Sequence, residues 1–180
     1  MNTTLAKNYQ SIENKSSDLM SMKLQLMASN LTNQWNRCSL TSNFFSIFHF
    51  EDEKLVNNLS TIINEFLENI VKFSASEKTL INLKLKLQKP ILYIEFDSKF
   101  THRSAQKFEE ILLSDGNNSL DQTIEASKID STFETDDLLL INTLTLIHIY
   151  NISMGCKMID RGNHKDIFIN LSINLEEVNK

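Results

Sequence analysis

The chain has 180 residues, 41% of them apolar and 23% charged, which suits one globular domain with a continuous core. A net charge of -5 argues against nucleic acid or an anionic membrane as partner, because both select a clustered basic face. Cys38 and Cys156 stand far apart with no metal-ligand spacing around them, and neither an apolar leader nor a membrane-length apolar stretch occurs, so a cytoplasmic setting is expected.

Residues 1–17 are polar without sustained period and read as a frayed arm or a short helix ahead of a single domain over 18–180. From Met20 to Met27, apolar Met22, Leu24 and Leu26 alternate with Ser21, Lys23 and Gln25, which predicts a strand with one buried face. Leu40, Phe44, Phe45 and Phe48 follow at helical spacing and predict a short helix with an aromatic face. Leu55, Leu59, Ile62, Ile63, Phe66, Leu67 and Ile70 recur at i, i+3, i+4 and i+7, so residues 54–73 form the strongest helix of the chain.

LINLKLKL and ILYIEF predict two antiparallel strands joined at Gln88-Lys89-Pro90. Thr101 caps a helix through Leu113, Asp115-Gly116-Asn117-Asn118 breaks it, and Ser119 to Gln122 opens another through an S-x-x-Q pattern. The acids of DSTFETDD, residues 130–137, form an exposed loop and cap the next helix. That helix, LLLINTLTLIHIYNISMG, is almost wholly apolar and is expected to stop at Gly155, with His148 as a satisfied core histidine. CKMID and DIFINLSI complete the set as strands. Helices gathered on one face of a mixed, mainly antiparallel sheet give an α+β, two-layer sandwich.

One stretch, NEFLENIVKFS at 64–74, concentrates Asn64, Glu65, Glu68, Asn69 and Lys72 on an otherwise apolar helix. Its plain physical reading is a wet helix face with a Glu68 to Lys72 salt bridge. Position by position, however, it resembles the N-box helix of the GHKL ATPase superfamily, which reads roughly N-E-L-x-x-N-A-x-K-[YFH]. Bacterial members include histidine-kinase catalytic domains and anti-sigma-factor serine kinases. The resemblance implies a Bergerat-type sandwich binding ATP and Mg²⁺, with Glu65 activating a water or hydroxyl and Asn69 holding Mg²⁺ to the phosphates. Asn64 belongs to the same box, Lys72 matches a position that often meets phosphate, and Asp97, at the end of the second hairpin strand, matches the acid that reads the adenine amino group.

The order of elements over residues 50–175 also follows the family. QWNRCSLTSNFFSIFHF and YNISMGCKM are similar to segments of a small set of bacterial, notably cyanobacterial, GHKL-like regulators. The glycine boxes depart from the pattern: Lys99 stands where the D-x-G-x-G turn needs glycine, and Leu140 and Asn142 replace the glycines of the G-x-G turn before the last helix. No phosphoacceptor H-[ED]-x-x-x-P box surrounds His49, His102, His148 or His164, which excludes a histidine kinase carrying its own dimerisation domain.

The expectation is therefore a regulatory protein with a degenerate histidine-kinase-like ATPase fold that binds a protein partner, as anti-sigma and partner-switching components do, with a homodimer left open. The alternative is an ATP-dependent serine/threonine kinase or ATPase with a remodelled lid, using Glu65 as base. A third reading is a structural domain in which the box merely packs.

Overall fold

A computed structural model describes residues 3–14, 20–33, 50–114 and 135–179. The strands are β1 (Thr3–Lys7), β2 (Met20–Met27), β3 (Leu80–Gln88), β4 (Ile91–Phe100), β5 (Ser153–Asp160) and β6 (Lys165–Asn174). The helices are α1 (Ala28–Asn33), α2 (Glu53–Phe73), α3 (His102–Ser114), α4 (Thr135–Ile149) and α5 (Leu175–Val178). The expected α+β two-layer sandwich is what forms; among the described residues its sheet has six strands in the order β1-β5-β6-β4-β3-β2, and every pairing there is antiparallel.

Alternation decides which side of each strand meets the helices. Ile81, Leu83, Leu85 and Leu87 of β3, with Leu92, Ile94 and Phe96 of β4, are buried beneath α2. Phe66 of α2 stacks on Phe96 at 6.0 Å, and Phe73 meets Phe100 and Phe108 in an aromatic cluster that ties α2, β4 and α3 together. Each such side chain, fully buried, contributes about 1.5–3 kcal/mol before the entropy of ordering it is subtracted. The helix begins where Asp52 accepts a hydrogen bond from the Leu55 amide at 3.0 Å, an N-cap that satisfies one otherwise orphaned donor.

Three expectations change. Within the N-terminal arm, the described Thr3–Lys7 is a strand paired with β5, and Ile12–Asn14 forms a single 3-10 turn. Helix α4 ends at Ile149, not Gly155, because Asn151 adopts a left-handed φ of 47°. The Ile152 amide then donates to the Ile147 carbonyl at 2.8 Å and the Asn151 amide to that of His148 at 3.3 Å, a Schellman ending. His148 itself is exposed rather than in the core. The aromatic helix expected around residues 40–48, the helix from Ser119 and most of the acidic loop lie outside the described residues.

β1 and β2 are consecutive in the chain yet occupy opposite edges of the sheet, about 24 Å apart at the usual strand spacing. Residues 8–14, the strap that follows β1, lie on the sheet face opposite α2, where Tyr9, Ile12 and Glu13 meet side chains of β3 and β4. Asn8, at a positive φ of 52°, passes directly over Gly155, where any Cβ would collide with the Asn8 carbonyl and the Asn170 side chain. Beyond it, Glu95, only 1% exposed, accepts from the Tyr9 hydroxyl at 2.9 Å, the Ile12 amide at 3.3 Å and Lys84 Nζ at 2.7 Å. Tyr9 also meets the edge of Phe168, and burial, reinforced by the Glu95 hydrogen bond, pushes its phenol well above the ordinary range.

Candidate functional site

The box residues sit in the last three turns of α2. Glu65 and Asn69 are one turn apart, and Lys72 pairs with Glu68 at 3.6 Å on the outer side of the helix. Asn64 is half-buried beside them. Asn69 is 2% exposed and points into the interior. Its Nδ2 donates to the Glu65 carbonyl at 3.0 Å and, in a short hydrogen bond, to Thr143 Oγ1 of α4, itself buried. This amide therefore cross-links two helices.

Glu65 lies at the boundary between this interior and solvent. Burial raises its carboxyl above the ordinary value, the nearby Glu68 charge raises it further, and Lys72 opposes both. Its Oε2 is shielded from water and has no hydrogen-bond partner among the described residues. An underused carboxylate oxygen with raised basicity is chemically suited to accept a proton.

The remaining residues of the implied nucleotide site do not join this pair. Phe96 faces α2, so its neighbour Asp97 projects from the opposite sheet face, where its Oδ2 accepts from Asn82 Nδ2 at 3.1 Å. There Asp97 lines an open cleft of about 690 Å³ with Asn82, Lys99, His164, Asp166 and Phe168. Burial raises the Asp97 carboxyl, while the Asn82 hydrogen bond and Lys84 oppose the shift. Asp166 is already engaged by Arg161 at 2.6 Å and His164 at 3.2 Å. Among the described residues, no group of three or more His, Cys, Asp or Glu could hold a metal ion.

The second departure is one of backbone. The positions of Leu140 and Asn142 lie inside α4, which runs without a break from Thr135 to Ile149. Inside a helix, amides are spent on carbonyls four residues earlier and cannot form an anion nest. The residues that the family resemblance would assign to ATP and Mg²⁺ thus fall into three places: Glu65 and Asn69 on α2, Asp97 across the sheet, and a helix where a glycine turn would be. Thr143, which engages Asn69, and Glu95, which holds the strap, carried no sequence signal of their own. The phase of ILYIEF, with Leu92, Ile94 and Phe96 on one side, did contain the orientation of Asp97.

With this geometry in view, the fold is similar to a chain in the crystal structure of the SiaB-SiaC complex from Pseudomonas aeruginosa. The match has a TM-score of 0.57 and 8% identity, and it covers 83% of this chain and 89% of that one. The likeness is one of fold. No family model and no curated protein matches the chain. No helix among the described residues is long and apolar enough to cross a membrane.

Proposed function

We propose that the chain is a cytoplasmic regulatory protein with a degenerate histidine-kinase-like ATPase (GHKL) fold, in which the ancestral nucleotide site has become a helix-to-helix contact and function lies in binding a protein partner. The observation that carries this reading is the Asn69 to Thr143 hydrogen bond, which spends the box amide on α4 at the level where α4 replaces the expected glycine turn. Similarity of fold to a chain crystallised in a two-protein complex supports partner binding as the mode of action.

A second reading keeps an ATP-dependent serine/threonine kinase or ATPase, with Glu65 as general base and Asn64, Asn69 and Lys72 near the phosphates. The buried Oε2 of Glu65, without a hydrogen-bond partner among the described residues, and its raised basicity favour it. Under this reading Asp97 takes no part in adenine recognition, because it leaves the sheet on the other side.

Calorimetric titration with ATP and Mg²⁺ separates the two. Millimolar nucleotide is expected to release no binding heat, and a partner co-purified with the chain should stay bound in EDTA without nucleotide. Heat that disappears in Asn69→Ala while the variant keeps its circular dichroism spectrum would overturn the degenerate reading in favour of the kinase.

A further inference from the structure

The sheet face opposite the helices is locally basic on a chain of net charge -5. Lys23 of β2 and Lys84 of β3 are direct cross-strand partners, and Lys86 lies opposite Ser21 one step further along the same face. Like charges placed opposite each other on a sheet repel and call for an anion. Glu95 supplies one from β4, at 2.7 Å from Lys84, but it is buried and also holds Tyr9 and Ile12.

Asp97, on the same face of β4, also feels the Lys84 charge, and a further anion comes from the strap. Glu13 Oε1 lies 3.0 Å from Lys84 Nζ, and the Glu13 carbonyl accepts from Lys86 Nζ at 3.0 Å. The Lys84 hydrogen bond, followed by the charges of Lys84 and Lys23, holds the Glu13 carboxyl below its ordinary value. Yet this side chain is 58% exposed, so it can swing into solvent without disturbing the strap's anchor at Glu95. The removable part is the Glu13 carboxylate on Lys84, within the field of Lys23, while the Glu13 carbonyl stays on Lys86 and Glu95 stays on Lys84.

We infer that Lys23, Lys84 and Lys86 form the docking point for an acidic segment of the protein partner, and that Glu13 occupies it in the free protein as an internal competitor. This rests on the protein-binding reading above and names the chemistry of the segment that is bound. Carboxylates at the spacing of an extended acidic peptide match ammonium groups displayed along two adjacent strands, and the strap's own glutamate shows the contact that such a peptide would reproduce.

The probe is a fluorescein-labelled hexaglutamate peptide titrated with the full chain by anisotropy, with hexaglutamine as control. Hexaglutamate is expected to bind weakly and more tightly at low salt, because exposed charges are screened within about 8–10 Å at moderate ionic strength. Glu13→Gln should tighten it about two- to fivefold, the factor an exposed ion pair is worth, and adding Lys23→Gln should reverse the gain. Lys84 is left intact, since its loss would strand the buried Glu95 charge.

Equal binding of hexaglutamine, or no gain in Glu13→Gln, would overturn the inference. A phosphoserine hexapeptide that bound more tightly than hexaglutamate through the same lysines would overturn the carboxylate assignment. The outcome is distinguishable from the fate of the wider reading: ATP-dependent kinase activity would remove that reading whatever the peptide does, whereas failure of the peptide leaves nucleotide-independent partner capture untouched.

Discussion

At Glu65, partial withdrawal from water and the nearby Glu68 charge both favour the protonated carboxyl over the ionised one. The unfolded chain releases this proton near the ordinary value of 4.5, and the folded protein keeps it to higher pH. The folded state therefore binds more protons across that window, and stability falls as pH rises through it. The stabilising contribution is complete below pH 4.5 and lost above the folded value. Glu65→Gln removes the ionisation, so the variant should gain melting temperature over the native chain at about pH 7 and lose that advantage at about pH 4. Thermal melts at the two pH values check this, and an advantage of the same size at both would rule out the carboxyl as its source. The i, i+4 placement of Glu65 and Asn69 was legible from spacing alone. The partner of Asn69 was not, because Thr143 lies 74 positions away and nothing local marks it.

Among the elements, α2 and the β3–β4 hairpin were readable because each carries a strong period: helical spacing of apolar residues in one, strict alternation in the other. The end of α4 was not readable. YNISM continues the apolar character of the helix, and the stop comes from a backbone conformation at Asn151 that composition does not announce. Asparagine tolerates the left-handed region better than most residues, and glycine tolerates it without penalty. Asn151→Gly should accordingly be neutral or slightly stabilising. Asn151→Val should cost about 1–2 kcal/mol, seen as a lower urea midpoint at unchanged slope. A valine variant as stable as the parent would mean that the Schellman ending does not hold the turn between α4 and β5. β1 carries no sustained period: it is a five-residue edge strand whose order derives from its pairing with β5, about 150 positions later in the chain.

For the molecule as a whole, the decisive feature is the polar segment 8–14, which leaves the edge strand β1 and lies on the sheet face opposite α2. Its composition reads as solvated, and each residue taken alone would be. What orders it is a buried acid on β4, a backbone opening at Gly155 and two lysines on β3, all far away in sequence. These contacts also have a temporal meaning. The β3–β4 hairpin closes between neighbours, whereas β1 has no strand to join until β5 exists and the Tyr9 contact spans 86 positions. Contacts that close such long loops cost the most chain entropy and tend to form late. β1, although it precedes β5 in the chain, would then be among the last elements to find its place. Tyr9→Phe should consequently speed unfolding while leaving the refolding rate near its original value, as chevron kinetics can measure; slower refolding would put the strap in the nucleus instead.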